Sequence, residues 1–161
     1  MPEDTLAEEV KEWNYAAYVF LVREIDGKKQ IAFLVYGDWY GAIGGRQDGD
    51  ETPREALIRE ICEEFGDGMK FIANAAIEMP EKYRFKVNDD NVLRRRARNE
   101  EHTFFVSKVP ADSKLTICEE HLISKCKIVW LNIEALEDGN FASFGDLRDV
   151  ARAYMPVIKS L

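Results

Sequence analysis

The chain has 161 residues, 46% hydrophobic and 32% charged, with a formal net charge of −8. This predicts a single domain over residues 1–161 with a core that needs no staples, and it argues against general affinity for nucleic acid or an anionic membrane. No apolar run approaches the ~20 residues that cross a bilayer, and the opening "MPEDTLAEEVKEW" lacks a signal-peptide layout. Cys62, Cys118 and Cys126 have no metal-ligand spacing and cannot all pair, so a reducing, cytoplasmic setting is expected.

In chain order, "AAYVFLV" (16–22) and "QIAFLVY" (30–36) are rich in β-branched and aromatic residues and flank "EIDGKK", which predicts a hairpin. "DWYGAIGG" (38–45) reads as a short extended piece entering a Gly-rich loop. A helix is predicted at about 53–65, then strands at 69–79 and 82–87, a polar loop over 88–100, and strands at 102–109 and 126–132. A final helix from about Phe144 to Leu161 places Leu147, Val150, Ala151, Tyr154 and Ile158 on one face, with Pro156 kinking or shortening it. The fold class expected is α+β, with a mixed central sheet and a terminal helix.

The central helix is well specified at its start. Thr52 is a good N-cap, Pro53 stands at the first helical position, and Glu55 completes a capping box. Gly66 suits the position past its end. At 100° per residue, Leu57, Ile58, Ile61, Cys62 and Phe65 share one arc of about 140°, and Glu60, Glu63 and Glu64 share another of about 100°. Three acids near a helix C-terminus are electrostatically unfavourable. No lysine lies between residues 51 and 69 to neutralise them, and Arg54 and Arg59 are too few. A solvated acidic face is one reading. A hard divalent cation such as Mg²⁺ or Mn²⁺, which prefers oxygen ligands, explains the cluster better, and the upstream glycines permit close approach of a ligand.

The segment resembles the Nudix hydrolase signature, G-x5-E-x7-R-E-U-x-E-E-x-G-U with U a bulky aliphatic residue. The matches are Gly45, Glu51, Arg59, Glu60, Ile61, Glu63, Glu64 and Gly66. The final aliphatic position holds Asp67, followed by Gly68, and Asp50 stands where many members carry Gly. The resemblance implies a Nudix-type α/β/α sandwich and metal-assisted hydrolysis of a diphosphate linkage. It assigns Glu60, Glu63 and Glu64 as metal ligands, with Gly45, after Gly44, letting the loop approach the metal or phosphate. Arg59 would orient the cluster through a salt bridge to Glu51. It implies Mg²⁺ as the cofactor, Mn²⁺ as a substitute, and a small nucleotide as the partner, and it leaves a homodimer open.

The general base is sought outside the signature. "RNEEHTFF" (98–105) resembles a stretch of the bacterial dATP pyrophosphohydrolase-type members and points at Glu101, beside Glu100; "CEEHLISKCKIVW" (118–130) points at Glu120, by a small margin the first choice. Either also reads as an exposed loop glutamate. His102 and His121 have no zinc spacing. Trp39 and Tyr40 read equally as a nucleobase platform or as core. Arg94, Arg95, Arg96 and Arg98 read as a solvated loop or as forks for a polyphosphate, with Arg96 and Arg98 the chosen candidates. The first expectation is a nucleoside triphosphate hydrolysed to the monophosphate and pyrophosphate. Dinucleoside polyphosphate or nucleotide-sugar hydrolysis, isopentenyl-diphosphate chemistry, and a non-catalytic nucleotide sensor are the alternatives.

Overall fold

The computed structural model describes residues 10–112, 115, 126–137 and 147–161. Strands β1 (Lys11–Ile25) and β2 (Lys28–Tyr36) form the expected hairpin. Its two-residue turn, Asp26 and Gly27, has φ of 51° and 79°, the left-handed pair whose twist matches that of the strands. Short strands β3 (Trp39–Gly41) and β4 (Ile43–Arg46) follow, then helix α1 (Pro53–Phe65), helix α2 (Lys70–Ala75) and strand β5 (Ile77–Lys86). Helix α3 (Val92–Arg95) leads into β6 (Ala97–Lys108). β7 (Lys127–Asn132) and helices α4 (Ile133–Glu137), α5 (Leu147–Ala153) and α6 (Met155–Ser160) complete the described chain.

One mixed, seven-stranded sheet runs β3-β2-β1-β6-β5, with β4 also pairing β1 and β7 also pairing β2. β1 and β6 are parallel, from Lys11↔Ala97 to Val22↔Lys108. The other pairs are antiparallel. Because β-strand side chains alternate, β1 feeds two cores. Ala17, Val19 and Leu21 pack with Leu57, Ile61 and Ile72 from α1 and α2; Phe20 and Val22 pack with Phe104, Leu136, Val150 and Ile158 beneath α4, α5 and α6. Helices thus cover both faces, and the architecture is an α/β/α sandwich.

Three parts of the predicted element list are corrected. The strand at 69–79 is helix α2 up to Ala75, and only Ile77 onward is strand. Its buried residues Ile72, Ala73 and Ala76 follow helical rather than alternating spacing, and the Ser107 hydroxyl donates to the Ile72 carbonyl at 3.1 Å. The polar loop over 88–100 contains α3 and the first residues of β6, whose backbone is claimed by pairing with β1. The terminal helix is two helices broken at Tyr154, with Pro156 in the first turn of the second, and α4 was not anticipated. The start of that helix and residues 113–114, 116–125 and 138–146 lie outside the described residues.

Candidate active site

Helix α1 begins as its sequence requires. The Thr52 hydroxyl accepts from the Glu55 amide at 3.2 Å and the Glu55 carboxylate accepts from the Thr52 amide at 3.3 Å, a reciprocal capping box. Ala56, Leu57, Ile61 and Phe65 are buried, which turns the opposite face, with its glutamates, toward β4. At the other end the Gly66 amide donates to the Cys62 carbonyl at 2.8 Å. Gly66 takes φ 95°, and Asp67 opens a 3-10 turn over Asp67–Met69 that delivers the chain into α2. An acid at the last signature position is accommodated because it is exposed in this turn, while Met69 packs against the core.

Arg59 organises the acidic face. Its Nε and Nη2 donate to the two Glu51 carboxylate oxygens, both at 2.9 Å, a bidentate fork. Nη2 also donates to the Arg46 carbonyl at 2.7 Å and lies 3.4 Å from Asp48. Nη1 donates to Glu60 at 3.1 Å and reaches both oxygens of Glu63 at 3.4 Å. This one side chain joins the β4 loop to the helix. The Glu51 carboxyl is held below its ordinary range, chiefly by its bond to Arg59, and the guanidinium is pushed up by Glu51 in turn.

The glutamates differ in setting. Glu63 is exposed, whereas Glu60 and Glu64 are half-buried. Burial raises Glu60, and Arg59 offsets part of the rise. Glu64 is pushed up to about 8, by burial first and then by Glu60 and Glu63. Its Oε2 is buried and has no hydrogen-bond partner among the described residues. A buried carboxylate oxygen without a donor is costly, and a cation would satisfy it. A Cβ on Gly45 would lie 2.5 Å from the Glu60 carboxyl carbon, so the glycine is what lets that carboxylate lie against β4. Gly44, at φ 136°, has no room because a Cβ would meet the Ala17 carbonyl oxygen at 2.1 Å.

These residues fit a hard divalent cation in donor type, in the orphaned oxygen and in the cradle at Gly45. Among the described residues no three His, Cys, Asp or Glu side chains converge as a finished cage. Arg59 Nη1 presently contacts both Glu60 and Glu63, so these carboxylates would exchange part of that contact for a cation.

On the other face of the sheet lies a cavity of about 670 Å³, whose lining includes Tyr18, Gly44, Tyr83, Arg95, His102 and Phe104. Gly44 borders this cavity and Gly45, the next residue, borders Glu60, so the two features adjoin across β4. The Tyr18 hydroxyl is raised to about 12, mainly by burial and next by Glu100, with Glu60 also contributing.

The remaining sequence candidates are scattered. Glu101 shares the face of β6 that bears Phe105 and Ser107, the α1 side. There Arg84 Nε donates to it at 2.6 Å, and Lys82 stands at 3.9 Å. Glu120 lies outside the described residues. Trp39 is 52% exposed on an edge strand, while Tyr40 packs edge-on against Phe33. Arg96 and Arg98 are exposed, and neither lines the cavity, whereas Arg95 does. Sequence reasoning missed Tyr18 and Asp48, and named Glu100 only as the neighbour of Glu101. Tyr18 and Glu100 could have been flagged only by knowing that β1 and β6 are adjacent and parallel.

The NUDIX domain family model matches residues 11–149, which takes in nearly every element just described. The chain belongs to the Nudix hydrolase family. As a Nudix enzyme it is a pyrophosphohydrolase. Solved Nudix structures agree in fold. The *C. elegans* Ap4A hydrolase is similar with 15% identity and a TM-score of 0.64, over 92% of this chain and 99% of that one. The MutT protein of *Methanosarcina mazei* Go1 aligns with 16% identity and a TM-score of 0.63, over 92% and 97%. The *E. coli* dihydroneopterin triphosphate pyrophosphohydrolase aligns with 18% identity and a TM-score of 0.56, over 78% and 86%. No curated protein matches the sequence. Among the described residues no helix is long and apolar enough to cross a membrane, and Cys62 and Cys126 are free thiols.

Proposed function

We propose that this Nudix domain hydrolyses a nucleoside triphosphate to the monophosphate and pyrophosphate, with Mg²⁺ as its cation and Mn²⁺ as a substitute. The observation that carries the reading is the buried Glu64 Oε2, unpartnered among the described residues, on the same helical face as Glu60 and Glu63, beside a glycine cradle and an adjoining cavity. Glu60, Glu63 and Glu64 would hold the cation, which compensates charge on the phosphate oxygens as the anhydride opens. Arg59 fixes the carboxylates through Glu51 and Glu60, so their geometry is set before substrate arrives.

Water attacks phosphorus, a P–O anhydride bond breaks, pyrophosphate leaves, and the water's proton passes to a carboxylate. Glu101, on the α1 side of β6, is one candidate for that carboxylate, and Glu120 is the other. The name of the *E. coli* relative, a triphosphate pyrophosphohydrolase, is in keeping with this choice. The long match to the *C. elegans* Ap4A hydrolase favours a dinucleoside polyphosphate as the second reading.

A panel of nucleoside triphosphates and dinucleoside polyphosphates, assayed with Mg²⁺ and with phosphate and pyrophosphate detection, tests the proposal. Glu63→Gln and Glu64→Gln are expected to lose about 100-fold or more of turnover while keeping a wild-type circular-dichroism spectrum. Full Mg²⁺-dependent activity in both variants would overturn the assignment.

A further inference from the structure

Glu100 is 3% exposed, and both of its oxygens are engaged inside the molecule. Arg95 Nη1 donates to Oε2 at 2.5 Å, and His102 Nε2 lies 3.5 Å from Oε1. The His102 ring is in turn gripped edge-on by Tyr18 and Phe85, each with its centroid 5.0 Å away. The backbone beside Arg95 is pinned too. Asn14 Nδ2 donates to the Arg95 carbonyl at 2.8 Å, and the Lys11 amide donates to the Arg96 carbonyl at 2.9 Å. Arg96 itself turns the chain with φ 55°. A short helix between two turns therefore delivers one arginine to the aromatic cavity in a fixed pose.

Two consequences follow. The Arg95 charge is cancelled locally by Glu100. Burial alone would push Glu100 up, but His102 and Arg95 hold it below its ordinary range. A neutralised guanidinium is a weak counter-charge for a polyphosphate and a good hydrogen-bonding edge for a neutral ring. Its donors are also in surplus. The bond to Glu100 uses one of five N–H groups, and a guanidinium has no acceptor.

The geometry points to Arg95, held by Glu100, as the residue that selects the base of the substrate: the cavity takes a 6-oxopurine nucleotide in preference to a 6-aminopurine one. This rests on the nucleotide reading above. A 6-oxopurine offers N7 and O6 as adjacent acceptors to a single fork, whereas adenine offers one acceptor and an amino donor that would face a donor. Tyr18, Tyr83, Phe85 and Phe104 supply aromatic surface for the ring. A nucleotide so seated would lie across β4 from Glu60, with Gly44 on the cavity side and Gly45 against the glutamate. Glu100 acts through Arg95 and is a positioning residue.

The test uses the full chain in two arms. In the first, kcat/KM is measured with Mg²⁺ for GTP, ITP and ATP. The wild type is expected to favour GTP and ITP about ten-fold or more. Arg95→Lys, which keeps the charge opposite Glu100 but removes the fork, is expected to bring the three within about three-fold by loss on GTP and ITP. Glu100→Gln is expected to move the same ratio in the same direction, and a variant that lowers all three substrates equally would make Glu100 merely structural. In the second arm, binding of GMP, IMP and AMP is measured by calorimetry without Mg²⁺. Selective binding of GMP and IMP, lost in Arg95→Lys, with no triphosphate hydrolysed, upholds the pocket and overturns the catalytic reading. Hydrolysis with equal kcat/KM for GTP and ATP, unchanged in Arg95→Lys, does the reverse.

Discussion

Arg59 and Glu51 meet through two parallel hydrogen bonds of 2.9 Å, across eight residues of sequence that span the end of the β4 loop and the first turns of α1. The pair couples the conformation of that loop to the helix that carries Glu60, Glu63 and Glu64. Arg59→Ala leaves Glu51 and Glu60 half-buried without their cation, and a stability loss of about 1–3 kcal/mol is expected. Turnover should fall about 10- to 100-fold, as for a residue that orients metal ligands. Thermal melts and Mg²⁺-dependent kinetics measure the two effects separately.

The same pair sets an acid limit. Glu51 has a folded-state pKa below its unfolded value, so its contribution to stability is fully present above the unfolded carboxylate range. It is lost as pH falls through the depressed folded value. Denaturant midpoints measured from pH 6 down to pH 2 should therefore fall less steeply in Glu51→Gln than in the wild type. Parallel slopes would show that the fork adds nothing.

Glu64 has the opposite sign. Its folded pKa, about 8, lies above the unfolded carboxylate value, so the folded metal-free protein binds more protons between those limits. Stability from this group is present below the unfolded value and is lost as pH rises toward 8. Glu64→Gln removes the penalty, and the metal-free variant is expected to be more stable than wild type at pH 8 by about 4 kcal/mol. The advantage should vanish near pH 4. Mg²⁺ should narrow it at pH 8 by stabilising the wild type alone.

The adjacent glycines separate fold from site. Gly44→Ala forces a Cβ onto the backbone of Ala17 at a left-handed φ, and a loss of at least about 2 kcal/mol is expected. In Gly45→Ala the obstacle is the Glu60 carboxylate, the movable end of a side chain. The melt should shift by less than about 1 kcal/mol while Mn²⁺ affinity drops about ten-fold or more. Calorimetric Mn²⁺ titration alongside the melts decides it.

Thr52→Ala tests the helix start alone. Losing the reciprocal bonds with Glu55 should cost about 1 kcal/mol in urea denaturation, with KM unchanged.

The sequence by itself determined helix α1, its cap, its acidic face and its family, because these depend on residues within about two dozen positions of one another. Helical spacing turns Glu60, Glu63 and Glu64 to one side, and Thr52, Pro53 and Gly66 mark the limits wherever the helix is placed. The first hairpin was legible for the same reason: Asp26 and Gly27 encode its turn locally. Helix α2 was not, since a segment of only six residues, Lys70–Ala75, is too short to show a period of its own until Ile72 and Ala73 find the sheet. Arg95, Glu100, His102 and Tyr18 also lay beyond local reading. Tyr18 reaches the others only because β1 runs parallel to β6, in a register that sets Tyr18 opposite Phe104. That pairing joins residues more than eighty positions apart, so tertiary structure alone decided which arginine of the "LRRRAR" run enters the cavity, and which remain outside it.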